Sequence, residues 1–187
     1  MIPSIQECFA LMNQYRMLEN IRAHSVLVAK VAYLIAQRLR DRGVDVSVRL
    51  ATAGALMHDI GKTPSLHSGG DHARIGGEIC RSHHLNEIVP LVEEHVRLKH
   101  YDLNGNYSEK EIVYYSDKRV NHDTIVSLDS RLRYILDRYG RAGSPLNRAI
   151  RDNFALCQKI EQKLFMHMDF PPQSLAGQIQ GEGEIRL

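Results

Sequence analysis

Five side chains in this sequence have the types and placement to hold a metal, and a lysine stands beside them. His24 falls on the line of Leu27, Val28, Val31 and Ile35, so it shares the apolar, inward face of a helix. His58 continues the line of Ala51, Gly54 and Ala55, and His95 continues that of Ile88, Leu91 and Val92. Asp117 runs with Val113, Tyr114 and Val120. Burying an ionised carboxylate without a partner costs several kcal/mol. Several histidines and acids converging on one core therefore call for a shared positive charge, and a divalent cation supplies it through imidazole and carboxylate ligands. Asp59 adds to the case, because an acid in the last turn of a helix opposes the helix macrodipole unless it has a cation to hold. Lys62, three residues on, stands where it can reach a phosphate bound to that cation.

The elements that must position these residues read as helices. Apolar spacing and caps predict helices from about Pro3 to Met17, Asn20 to Arg42 and Ser47 to His58, the last stopped by Gly61 and Pro64. Thr63 to Gly70 reads as a loop. Asp71 can cap a helix carrying His72, Ile75, Gly76 and Ile79, and Asn86 can cap the next. His100 to Tyr107 is turn-rich, and Ser108 with Glu111 forms a capping box opening a helix through about Asn121. Two further helices span about Ser127 to Tyr139 and Pro145 to Met168. No alternation is long enough to require a sheet. The expected fold is all-α: one domain over residues 1–170, a bundle of about seven or eight helices, with the site within about 20–133, C-terminal helices over about 127–168 and a flexible tail at 171–187.

Composition narrows the function classes. With 187 residues and 43% hydrophobic side chains, the chain can bury one real core. Its 24 Lys and Arg against 22 Asp and Glu give no broad basic surface, so no nucleic-acid partner is expected. Cys8, Cys80 and Cys157 form no C-x-x-C pair, which predicts reduced thiols and a cytoplasmic setting. No apolar run has the ~20 residues of a membrane span, and a homo-oligomer is left open.

The run Leu56-Met57-His58-Asp59-Ile60-Gly61-Lys62 resembles the H-D-I-G-K signature of HD-domain phosphohydrolases. The order of His24, His58-Asp59, later histidines and Asp117 matches too, over roughly Asn20 to Arg133. The resemblance implies a metal held by His24, His58, Asp59 and Asp117, and a second one completed by His72 and His95 with Asp59 bridging. Iron or manganese is favoured, with zinc, nickel and cobalt also compatible. It further implies hydrolysis of a phosphomonoester, phosphodiester or phosphoanhydride, with a nucleotide as the small-molecule partner and metal-activated water as nucleophile. Asp59 and Lys62 would serve catalysis, and Lys62, Lys118 and Arg119 would contact phosphates. Among such proteins the chain is similar to the branch that includes bacterial diadenosine tetraphosphate hydrolases, though Val96 stands where a small polar residue is expected. The G-Y-P triplet of cyclic-di-nucleotide phosphodiesterases is absent, Gly105-Asn106-Tyr107 being followed by Ser108. The alternative is a non-catalytic HD-type module that binds a nucleotide or a partner protein; such modules typically lose ligands, and the four core ones are all present here. The remaining histidines read as surface or structural groups, and the arginines from Arg131 to Arg151 as surface pairs with Asp129, Asp137 and Asp152.

Overall fold

In the computed structural model, which describes residues 1–181, the apolar stripe after Asn20 becomes the centre of the fold. Helix α2 (Glu19–Asp41) buries Val28, Val31, Leu34, Ile35 and Leu39 and packs along α3 (Val48–Met57) and α7 (Glu109–Lys118). The small residues of α3 set how closely its neighbours approach. A Cβ on Gly54 would lie 2.2 Å from Leu91 of α6 (Val89–Glu94), a position only a hydrogen can occupy. Helix α1 (Ile5–Gln14), closed by a Ser4–Glu7 capping box, covers α3, and α5 (His72–Ser82) lies on α6. Helix α9 (Pro145–Phe165) seals α7 with Phe154, Cys157, Ile160 and Leu164. Two buried tyrosines of α7 find partners for their polar tips there: Tyr114 donates to the Asn153 carbonyl (2.7 Å) and Tyr115 to Glu161 (2.7 Å). Helix α8 (Leu128–Tyr139) packs on α9 and buries only Leu128.

The all-α expectation holds, and four local expectations differ. The stretch read as a loop after Thr63 is a helix, α4 (Lys62–Ser68), ended by Gly69 at φ 70°. Pro64 does not break it, because in a first turn the missing N–H has no partner to lose. Asn86 is not a cap: α6 starts at Val89, with Pro90 in its first turn. Helix α7 stops at Lys118, and Val120–Asn121 (β1) pairs antiparallel with Thr124–Ile125 (β2) across a tight turn where His122 takes φ 56°. Finally, the segment read as a tail forms a 3-10 turn (Pro172–Ser174) and α10 (Leu175–Gly181), which returns to α2 and buries Leu175 and Ile179. Residues 182–187 lie outside the described part.

Candidate metal centre

The fold brings all six expected ligands to one place from five helices. His24 comes from α2, His58 and Asp59 follow the end of α3, His72 opens α5, His95 follows α6, and Asp117 lies in the last turn of α7. Asp59 is central and 1% exposed. Its Oδ2 lies 3.5 Å from His58 Nε2 and 2.9 Å from Lys62 Nζ, while its Oδ1 lies 3.5 Å from both His72 Nε2 and His95 Nε2. Asp117 Oδ1 stands 3.1 Å from His24 Nε2 and 3.7 Å from His58 Nε2. Two donor groups meet at Asp59: His24, His58 and Asp59 on one side, and Asp59, His72 and His95 on the other, the donor atoms of each lying within 4.8 Å of one another. Asp117 flanks the first group rather than completing it at that spacing.

Main-chain carbonyls orient three of these rings. His58 Nδ1 donates to Ala55 O (2.6 Å), His95 Nδ1 to Val92 O (2.6 Å) and His24 Nδ1 to His122 O (3.0 Å). A carbonyl can only accept, so a proton sits on Nδ1 and each ring points Nε2 toward the carboxylates, the nitrogen that would ligate a metal. His58 and His95 are each the first residue past their helix and use a carbonyl three residues back, among those a helix end leaves without an amide. His58 Nε2 and Asp59 Oδ1 are buried with no hydrogen-bond partner. Converging imidazole and carboxylate donors, with two orphaned buried atoms between them, fit a divalent cation, and imidazoles anchored on carbonyls are how metal ligands are held.

Burial works against a charge on His58, but Asp59 and Asp117 outweigh it and raise that ring's pKa, so a bound cation would take the place of its Nε2 proton. Burial works against the charge on Asp59, yet His58, His95 and Lys62 outweigh it and hold the carboxyl well below the ordinary range. Asp117 is held low in the same way by Lys118, His24 and His58. Burial, reinforced by His95, pushes His72 down to about 4, and burial also lowers His95, so both rings are neutral and able to ligate at neutral pH.

Gly61 lets α4 and α5 close around this point. A Cβ there would sit 2.2 Å from the His72 carbonyl and 2.4 Å from the Gly76 amide, both backbone atoms that cannot swing aside. Gly61→Ala is expected to cost at least the ~1–3 kcal/mol of an overpacked site and to shift His72. Chemical denaturation checks the first effect, and metal titration of the variant checks the second.

A cleft of about 590 Å³ opens over the centre. Lys62 lines it, as expected. Lys118 lines it too, but its ammonium is engaged by His95 O (2.5 Å), Asp117 Oδ2 (3.3 Å) and the Tyr114 ring face, so it braces His95 and Asp117 rather than extending toward distal phosphates. Arg119 corrects the sequence expectation outright. Two residues past Asp117 is about 200° around a helix, and its guanidinium points away, to Val126 O (2.7 Å), Tyr115, Glu161 (3.2 Å) and Pro172 O (2.9 Å). Its place in the cleft is taken by residues the sequence reading set aside: His122, and Arg131, Tyr134, Ile135, Arg138 and Tyr139 of α8. Their spacing of three and four marks one helix face, a signal present in the sequence.

A model of the HD domain matches residues 21–140. A ribonuclease Y from Rubrobacter xylanophilus is 36% identical over 78 residues, 41% of this chain and 14% of its own. A tRNA (cytidine(56)-2'-O)-methyltransferase from Picrophilus torridus is 27% identical over 176 residues, 87% of this chain and 47% of its own. An uncharacterized protein of Methanocaldococcus jannaschii is 34% identical over 76 residues, 41% of this chain and 44% of its own. The chain thus spans less than half the length of these relatives. No solved structure matches, and no helix among the described residues is long and apolar enough to cross a membrane. With its His58-Asp59 pair at the meeting point of two donor groups and the family model spanning most of the chain, this protein belongs to the HD domain family.

Proposed function

We propose that this HD domain is a metal-dependent phosphohydrolase acting on a nucleotide, with His24, His58, Asp59 and Asp117 holding one divalent ion and Asp59, His72 and His95 a second. The observation that carries this reading is the pair of buried, partnerless atoms, His58 Nε2 and Asp59 Oδ1, among imidazoles fixed with Nε2 inward. Such ions supply charge neutralisation for a phosphate and a water acidic enough to attack it near neutral pH. The chain's own residues do the rest. Asp59 sits between the two groups and would hold both ions, and the Lys62 ammonium, 43% exposed at its side chain, reaches into the cleft where a phosphate oxygen would lie. Lys118 keeps Asp117 ionised and holds the His95 carbonyl.

Iron and manganese are the ions to try first, and the resemblance to the diadenosine tetraphosphate hydrolase branch makes a dinucleoside polyphosphate the first substrate. Metal-stripped protein is expected to release no phosphate or nucleotide from it, and added manganese or iron(II) to restore release. Lys62→Met should lower kcat/KM by about ten- to a hundredfold, the worth of a charge-assisted contact to phosphate. No release with any divalent metal would reject hydrolysis. One observation favours a second reading. The relative from Picrophilus torridus is named for methyl transfer to tRNA and aligns with most of this chain, which suits a domain that binds a nucleotide or a partner without hydrolysing it. The same assay separates the two.

A further inference from the structure

The cleft has a wall that the chemistry of Asp59 and Lys62 does not use. Arg131, Tyr134, Ile135, Arg138 and Tyr139 present one face of α8 to it, while Leu128 is the one α8 residue fully buried and Leu132 and Ile135 pack partly against the core. Arg131 is fixed in place: its Nη1 donates to Asn121 Oδ1 (2.5 Å), and its guanidinium carbon lies 5.6 Å from the centre of the Tyr134 ring. Its Nε is nonetheless buried with no hydrogen-bond partner. The buried Nε is closed to a ligand, but the side chain lines the cleft, so a ligand there would meet the outer edge of a guanidinium already held in place. Lys62 enters the same cleft from α4, and the two cations repel each other there. The acids that line the cleft, Asp59 and Asp117, are already committed to the histidines, Lys62 and Lys118. An anion entering the cleft would balance Arg131 and Lys62, two cations that face it.

The rest of this face is apolar and aromatic. Leu18, Leu66, Val96 and Tyr139, all exposed, border the cleft, and Tyr134 and Ile135 line it between the arginines. A volume of about 590 Å³ is far more than a phosphate fills and falls in the range of small-molecule sites. Tyr134 is also held in register with the metal centre. Its hydroxyl pairs with His122 Nε2 (3.0 Å), and the carbonyl of that same residue receives the His24 Nδ1 proton.

We propose that α8 is the discriminating arm of the site: Arg131 shares the phosphate of a nucleotide unit with Lys62, and Tyr134, with Ile135 and Tyr139, takes its base. This rests on reading the centre as a phosphate-processing site. Equilibrium binding of AMP, ribose 5-phosphate and adenosine to the metal-stripped chain, measured by calorimetry, tests it while AMP stays intact. AMP is expected to bind at least about fivefold more tightly than ribose 5-phosphate, the low end of what stacking a base on an aromatic ring contributes. Arg131→Met should weaken both phosphates by about tenfold or more and leave adenosine unchanged, with Arg131→Lys recovering part of the loss. Tyr134→Ala should weaken AMP and adenosine and leave ribose 5-phosphate unchanged. Thermal melts show that each variant is folded, and Tyr134→Leu replaces the alanine variant if that one is not. Equal binding of AMP and ribose 5-phosphate, unaltered phosphate binding in Arg131→Met, or no AMP binding at all would overturn the assignment. A chain that binds AMP as expected yet releases no phosphate with any metal rejects hydrolysis and leaves the arm's role standing.

Discussion

Asp59→Asn is expected to abolish metal-dependent phosphate release, by about a thousandfold or more, without unfolding the protein. Asp59 is the one residue shared by both donor groups, so its charge serves either ion. Losing several kcal/mol of charge stabilisation at the reacting phosphate corresponds to that factor, at ~1.4 kcal/mol per tenfold. The amide has the same shape in a site only 1% exposed, and it offers an N–H to the inward Nε2 of His72 or His95. Metal-stripped Asp59→Asn should therefore stay folded, melting somewhat below the metal-stripped parent because the low-held carboxylate, paired with Lys62, stabilises the fold at neutral pH. Added metal should raise the parent's melting point and not the variant's, since a ligand at a hundred times its Kd stabilises by ~2.7 kcal/mol. His24→Ala removes a ligand from one group only and should cost less metal. A variant that keeps both the release and the metal-induced shift would remove Asp59 from the centre of the mechanism.

The second large effect concerns stability. Lys163 of α9 is 5% exposed and Glu111 of α7 is fully buried. The Lys163 ammonium donates to both Glu111 oxygens (3.0 and 2.8 Å) and to the carbonyls of Asp102 (2.5 Å) and Asn106 (2.7 Å). Glu111 also accepts from the Ser108 amide (3.2 Å) in its capping box. Lys163→Met leaves that carboxylate buried without a counter-charge and frees two loop carbonyls, at a cost of about 3–5 kcal/mol. At ~2–4 °C per kcal/mol for a chain of this size, the midpoint should fall by roughly 6–20 °C. Adding Glu111→Gln keeps the cap acceptor and removes the stranded charge, so the double variant should regain part of the loss. Urea titrations of the four proteins of this cycle measure it. The pair does not line the cleft, so metal affinity of the folded molecules should not change; an undiminished midpoint for Lys163→Met would show that the pair contributes little.

What the sequence made legible was set by contrast. His24, His58, His95 and Asp117 stood out because each interrupts an apolar helix face, and burial leaves such residues few roles. Ser108 with Glu111 and Asp71 announced real helix starts because their side chains bond the first free amides. The hairpin after Arg119 was invisible, since two residues per strand carry no alternation. Helix α4 was hidden by Gly61 and Pro64, which read as breakers but act as an N-cap and a first-turn residue. Arg119 is near Asp117 in sequence and not in direction, because two residues turn a helix by about 200°. The stripe of α8 looked like a solvated, charged face, and only the tertiary fold shows that a cleft lies in front of it.

The placement of His58 and His95 just past their helices has a consequence for engineering. Each ring is aimed by its own helix's terminal carbonyl, so the aim depends on where the helix stops and not on any neighbouring side chain. An alanine scan of the surroundings would leave both anchors intact and miss them. Substitutions that lengthen α3 or α6 by a turn, a common route to thermostability, would instead supply amides to Ala55 O and Val92 O. Such variants would gain helix and lose the aim of two rings, so in this protein thermostabilisation at those two helix ends works against metal affinity.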